Sequence, residues 1–323
     1  MKILVTGGSG FIGTRLASDL VADGHVVRIF DRRPSSVHAG LRVEGDVRSP
    51  DALTRAMEGV EAVFHLAAEH RDDVHPASLY TDVNLGGTRN LVAAAEKTGC
   101  NRIIFTSSVA VYPLGLKNPD EAATPRPFNA YGASKLAAEE VLKNWAARTP
   151  QACLTITRLC VVFGPGNRGN VFNLLDQIQR GRFLMVGSGK NRKSMAYVGN
   201  VSPFLVSWLR MPAGTRLLNY ADKPDLSVAE LVDIVNGALG RKPSLRDRLR
   251  IPYFVGLMAG YCFDAAARIT RSKYPLSSIR VRKFCAQTTI STQRLEATGF
   301  QRRFSLKQAL EEWILHEFRP NSK

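Results

Sequence analysis

The 323-residue chain is 45% apolar and 8% aromatic, with glycine and proline spread along it, which fits an ordinary globular protein and excludes a repeat or low-complexity one. Five cysteines (Cys100, Cys153, Cys160, Cys262 and Cys285) form an odd set with no C-x-x-C pair, which fits free thiols in a reducing cytoplasm rather than a disulfide framework. The net charge of +16 lies entirely in residues 151–323, with 27 basic and 11 acidic residues, because residues 1–150 carry 17 of each.

The chain opens on "MKILVTGG", which enters a strand at once and leaves no room for a signal peptide. Ile3 to Val5 are the apolar run of a parallel strand buried on both faces. Gly7, Gly10 and Gly13 follow, and a helix begins among them at Phe11 and Ile12. Gly7 permits the tight turn, Gly10 lets the backbone approach a pyrophosphate, and Gly13 lets helix pack on strand. The next strand, "VVRIF", ends in Asp31, 18 residues after Gly13. A carboxylate there accepts hydrogen bonds from adenosine ribose hydroxyls and repels a 2′-phosphate, so it favours NAD, while Arg32 and Arg33 beside it keep NADP open.

Strands and helices then alternate: "AVFHLAA" (62–68), the helix "TRNLVAAAEKTG" (88–99), "RIIFTSS" (102–108), the helix "KLAAEEVLKNWAAR" (135–148) and "LTITRLCVVFG" (154–164). This order predicts an α/β fold, a Rossmann-like doubly wound parallel sheet with ligands at the carboxyl ends of its strands. We expect residues 1–163, with a returning segment near 198–240, to bind NAD. Residues 164–197 and 241–323 would form a smaller substrate-binding lobe.

"YGASK" (131–135) opens a helix and sets Tyr131 and Lys135 four residues apart on one face. An ammonium beside the phenol, and the positive nicotinamide ring, would favour phenolate and make Tyr131 a proton carrier near neutral pH. Ser108, at the end of "RIIFTSS", is placed to hydrogen-bond the same substrate oxygen. Nothing in the sequence points to a metal.

Thirteen consecutive apolar or small residues, Ile251 to Phe263, sit in the most basic window of the chain, 241–283, which holds 11 basic and 2 acidic residues. They are too few to span a ~30 Å hydrocarbon core. Asp264 and Arg268 also argue against spanning. Two readings remain: a core helix of the lobe, or a helix lying in a membrane interface. The flanking Arg241, Lys242, Arg246, Arg248, Arg250, Arg268, Arg271, Lys273, Arg280, Arg282 and Lys283 favour an anionic membrane surface, at about 1 kcal/mol each. Nucleic acid is disfavoured, because the basic residues are not set in a recognisable nucleic-acid module.

"TGGSGFIG", "HLAA", "VNLGGTRN", "TSSVAVY" and "YGASK" resemble the extended short-chain dehydrogenase/reductase family (NAD-dependent epimerase/dehydratases) along most of the chain. The resemblance implies a catalytic trio of Ser108, Tyr131 and Lys135. It assigns to the cofactor Gly7, Gly10, Phe11, Ile12, Gly13, Asp31, Arg32, Asp46, Val47, Leu66, Ala67, Ala68 and Asn84, with Tyr131 and Lys135. It also implies a sugar nucleotide or a relative of one as substrate, and a homodimer through two helices as the family's usual form.

One family signature departs. "GSGKNRKSMAYVGN" (187–200) has Lys193 where the family's diphosphate-gripping arginine stands, with Arg192 beside it, and Ser194, Gly199 and Asn200 in place of its aspartates. "LAAEHRDDVHPASLY", "FGPGNRGNVFNLL", "YADKPDLS", "GYCFD" and "SSIRVRKFCAQTT" are similar to bacterial 4-epimerases that act on N-acetylglucosamine-diphospho-undecaprenol in O-antigen assembly. That resemblance implies a polyprenyl-diphosphate amino sugar as substrate and a peripheral place on the inner face of the cell membrane. Arg168, Asn170, Arg192, Lys193 and Arg282 are candidates for its diphosphate and sugar. His70 and Arg71 either face the N-acetyl group or anchor a loop. A soluble UDP-N-acetylhexosamine 4-epimerase or UDP-4-keto-6-deoxy-sugar reductase, and a non-catalytic NAD-sensing protein, are the alternatives.

Overall fold

The computed structural model describes residues 1–71, 74–242, 249–270, 272, 274 and 277–318. Its strands are β1 (Lys2–Thr6), β2 (Val26–Asp31), β3 (Arg42–Glu44), β4 (Ala62–His65), β5 (Arg102–Ser108), β6 (Cys153–Leu159), β7 (Val161–Phe163), β8 (Met185–Val186), β9 (Arg192–Tyr197), β10 (Gly214–Tyr220), β11 (Asp222–Ser227) and β12 (Arg250–Ile251). Its helices are α1 (Phe11–Ala22), α2 (Pro50–Met57), α3 (Gly87–Thr98), α4 (Ala130–Arg148), α5 (Asn170–Gln179), α6 (Val198–Ser207), α7 (Val228–Ala238), α8 (Tyr253–Thr270), α9 (Ser278–Cys285), α10 (Gln293–Ala297) and α11 (Leu306–Phe318).

Seven strands form the main sheet in the order β10-β6-β5-β4-β1-β2-β3, every pairing parallel. Parallel strands bury both faces, which is why β4 and β6 are buried at every residue and are apolar or β-branched except at His65 and Arg158. One face packs on α1 and α6, through Leu16, Leu20, Phe204 and Trp208. The other packs on α2, α3 and α4, through Leu53, Leu91, Leu142 and Trp145. Sheet order reverses between β1 and β4, so the crevice for a ligand opens where those strands end.

The chain then leaves the main sheet. β7, β9 and β11 form a second sheet, and β8 pairs with β12 in a third. A separate core under them joins Phe163, Leu175, Met195, Leu231 and Val235 to Leu310 and Trp313 of α11. β10 returns to the edge of the main sheet beside β6, whereas α7 packs into this second core. Ser227 opens α7 with a reciprocal cap, its Oγ accepting from the Glu230 N–H while the Glu230 carboxylate accepts from the Ser227 N–H.

Candidate active site

The glycine turn is shaped by close approach. Gly7 has φ +71°, and a Cβ there would fall 2.7 Å from the Ala67 nitrogen; one on Gly13 would fall 2.5 Å from the Gly7 carbonyl oxygen. Gly10 is the N-cap of α1, so no side chain takes up the free N–H groups of the first turn, which aim at the space over the turn. This is a cradle for an anion, and it fits the pyrophosphate of a dinucleotide.

The remaining cofactor candidates surround that cradle. The Asp31 carboxylate, at the end of β2, accepts from the Ser9 N–H (3.0 Å) and the Arg33 N–H (2.9 Å), so it faces the turn. Arg32 turns to Asp46 (3.6 Å), which Arg48 grips at 2.7 Å. Burial works against the Asp46 charge, but the hydrogen bonds and charge of Arg48, with Arg32, hold the carboxyl below its ordinary range. Val47 is buried against Gly87 at the start of α3. Leu66 and Ala67 leave β4 with their N–H groups on the carbonyl and hydroxyl of Thr6, and half-buried Ala68 follows. Phe11 and Ile12 lean on the second core. Asn84, in a π-helical turn (Tyr80–Gly86), accepts from the Glu69 N–H (2.8 Å) and donates to the Glu69 carbonyl (3.0 Å) and the Ser134 hydroxyl (2.8 Å). It therefore ties the loop after β4 to the catalytic helix.

Ser108 ends β5, and its Oγ accepts from the Ala110 N–H at 3.2 Å. Tyr131 lies in the first turn of α4, capped by Asn129, with its phenol close enough to Ser108 for that side chain to act on its pKa. Gly132 is what allows this, since a Cβ there would meet the Ala110 carbonyl oxygen at 2.1 Å. Lys135, one turn further, is fully buried with its Nζ 4.0 Å from the Phe105 ring centroid. His65 stacks on the other side of Phe105 and sits between the hydroxyls of Thr6 (2.7 Å) and Thr88 (3.0 Å). Burial, with the nearby Lys135 charge, pushes its pKa down to about 3, so it stays neutral.

Burial also sets the Lys135 ammonium at about 7, although Glu139 pulls it upward. Burial raises the Tyr131 phenol, and Ser108 works against that rise. The expected depression of Tyr131 by Lys135 is not found: burial raises the phenol instead. Glu139 is a residue that the sequence reading did not single out. It is completely buried, accepting from Ser107 Oγ (2.5 Å) and from Arg158 at 3.0 and 2.7 Å. It locks α4 to β5 and β6 directly behind Ser108. A signal was available, since a glutamate one turn after Lys135 on an otherwise inward face demands a buried cation.

The substrate candidates do not come together as a set. Arg192 is exposed and turned toward the Asp225 carbonyl and Glu230 (3.3 Å). Half-buried Lys193 donates to the carbonyls of Lys283 (3.0 Å) and Ala286 (2.6 Å), so it caps the C-terminus of α9 instead of standing free for a diphosphate. Burial brings its pKa down to about 8. Arg168 pairs with Glu317 at 3.1 Å over the Phe172 ring, and Asn170 is the exposed first residue of α5. His70 is exposed, and Arg71 pairs with Glu69 at 3.2 Å on the loop that Asn84 holds. Arg282 on α9 donates to the Tyr261 hydroxyl of α8. Its neighbour Lys283 places its ammonium 5.4 Å from the centroid of the Phe128 ring, three residues before Tyr131, which brings α9 to the mouth of the site.

An anion cradle at a sheet switch point, beside a Ser–Tyr–Lys trio, defines a nicotinamide-dependent enzyme that moves a proton at a carbinol oxygen. A family model described as "NAD dependent epimerase/dehydratase family" matches residues 3–218. The chain belongs to that family, and NAD is its cofactor. It is 48% identical over 320 residues, 98% of this chain and 95% of the relative, to an N-acetyl-α-D-glucosaminyl-diphospho-ditrans,octacis-undecaprenol 4-epimerase of Escherichia coli O157:H7. It is 32% identical to a UDP-glucose 4-epimerase of Vibrio cholerae, with 84% of each chain covered. Among solved structures, MoeE5 in complex with UDP-glucose and NAD superposes with a TM-score of 0.76 at 27% identity, covering 97% of each chain.

Proposed function

We propose that the chain is a sugar 4-epimerase that interconverts N-acetylglucosamine and N-acetylgalactosamine on a polyprenyl diphosphate carrier, in surface polysaccharide assembly. Tyr131 takes the proton of the 4-hydroxyl and returns it after the 4-keto sugar has turned over. Ser108 holds that oxygen in both halves of the cycle, and the buried Lys135 positions the ribose below it. The cofactor, bound at the glycine turn, supplies the hydride acceptor for the first half and the donor for the second, so no external nicotinamide is consumed. Residues 241–283 bring the site to an anionic membrane; among the described residues, no helix is long and apolar enough to cross one.

The observation that carries the chemistry is the placing of Ser108 at the end of β5, Tyr131 in the first turn of α4 and buried Lys135 one turn on, beside the glycine cradle. The outward face of α8 and the end-to-end similarity to an undecaprenol-linked epimerase support the choice of carrier. The test presents purified protein with lipid-linked and UDP-linked N-acetylglucosamine side by side and analyses the released sugar. Preferential conversion of the lipid form supports this reading. Equal efficiency on free UDP-N-acetylglucosamine would return the protein to the soluble alternative, and steady NADH consumption with a 4-keto sugar nucleotide would make it a reductase.

A further inference from the structure

Helix α8 is built inside out. A surface helix ordinarily turns its bulky apolar residues inward. Here the inward stripe is Gly256, Gly260, Asp264 and Ala267, spaced four, four and three residues apart. A Cβ on Gly256 would fall 2.5 Å from the Val186 side chain, and one on Gly260 would fall 2.8 Å from the Ser278 backbone, so the glycines seat the helix against β8 and α9. Asp264 locks the seat, accepting from the Ser278 N–H (3.2 Å) and hydroxyl (2.5 Å). The opposite stripe therefore points away from the protein: Phe254 is 64% exposed, Met258 65%, Tyr261 49% and Ile269 84%.

A second exposed apolar pair lies on the small sheet that leads into α8. β8 and β12 pair in parallel with Met185 opposite Arg250, so the preceding residues, Leu184 and Leu249, are neighbours in register at the same end. They are 43% and 55% exposed. We infer that α8 and the Leu184–Leu249 pair are two feet of one surface that inserts into the acyl layer of an anionic bilayer. The charge around it selects the occupant. Exposed Arg250 of β12, Arg268 of α8 itself, and Arg280 and Arg282 of the adjoining α9 fit lipid phosphates, whereas a second copy of this chain would bring the same positive charge against them. Arg282, hydrogen-bonded to Tyr261, marks the headgroup level, a usual depth for tyrosine and arginine. One helix carries Arg282 toward the bilayer and Lys283 toward the lip of the active site, so insertion holds the catalytic mouth at the depth of the lipid phosphates.

The inference deepens the lipid-carrier reading, on which it rests, and its main readout, flotation with vesicles, does not use the lipid-linked sugar. Full-length protein is floated with vesicles of phosphatidylglycerol and phosphatidylethanolamine, or of phosphatidylcholine alone. Binding to the anionic vesicles that weakens with added salt is expected. Phe254→Ser/Met258→Ser should lower partitioning about tenfold or more, and Leu184→Ser/Leu249→Ser should lower it severalfold, both with unchanged melting temperature and turnover of UDP-N-acetylglucosamine. Tryptophan fluorescence of Met258→Trp should be quenched by acyl-chain bromines. Three results would overturn the inference: no flotation, undiminished flotation of both double variants, or a dimer in solution that the Phe254→Ser/Met258→Ser pair dissolves. An epimerase that floats yet prefers the UDP-linked sugar would sink the carrier reading alone.

Discussion

Glycine does opposite work in the two halves of the molecule. In the turn after β1 and at Gly132, the missing Cβ brings backbone to backbone around an interior site, and the large residues of the helices packed there, such as Leu91, Leu142 and Trp145, are buried. In α8 the missing Cβ presses a helix flat against the body, and the large residues face out. The first half is electroneutral and the second carries the whole +16. Close approach is thus a tool with no fixed purpose. What surrounds the glycines differs: a cradle of N–H groups in the first half, exposed apolar side chains and arginines in the second.

The largest expected effect falls in the first half. Tyr131→Phe removes the proton carrier and should lower kcat on the order of 10³-fold, while NAD binding, followed by protein fluorescence, is retained. Glu139→Gln leaves Arg158 buried without its counter-charge and should destabilise the fold by about 3–5 kcal/mol in denaturant melts. Gly132→Ala sets a methyl against the Ala110 carbonyl and should cost about 1–3 kcal/mol, with a loss of turnover exceeding what the lost folded fraction explains.

The protein should also gain stability as pH rises above 7. The Lys135 ammonium titrates at about 7 in the folded state and near 10.5 when unfolded, so between those values the unfolded chain binds the extra proton. Lys193 adds to this between about 8 and 10.5. Melting temperature should therefore climb from about pH 7 to 8, below the range in which the thiols of Cys100, Cys160 and Cys285, raised by burial, oppose it, and Lys135→Met should flatten much of the climb; a profile unaffected by that substitution would contradict the buried ammonium. The smallest effect is expected for Arg192→Ala, an exposed pair with Glu230, which should change turnover less than about twofold.

The parallel sheet and the glycine turn were legible because buried strands read as apolar runs and because turn glycines and Asp31 stand at fixed offsets. The helix that carries Tyr131 and Lys135 one turn apart was legible for a similar reason, since "YGASK" opens α4. Other features depend on where long side chains turn, which register does not reveal. Lys193 stands where the family's arginine does, yet its four methylenes carry the ammonium to the end of α9. The orientation of α8 was hidden because the segment is apolar nearly all round, and only Val186 and Ser278, distant in sequence, select the glycine stripe as the inner one. Asp264, read as an obstacle to spanning, is part of that seat. Arg246, Arg248, Arg271 and Lys273, counted among the basic flanks, lie outside the described residues.

The partnership of the two halves is tested most directly by the ratio of turnover on lipid-linked to UDP-linked N-acetylglucosamine, measured on vesicles for the natural chain and for Phe254→Ser/Met258→Ser. The account predicts that the ratio falls about tenfold in the variant while the UDP-linked rate stays level. An unchanged ratio would mean that the catalytic half finds its substrate without help from the outward face of α8.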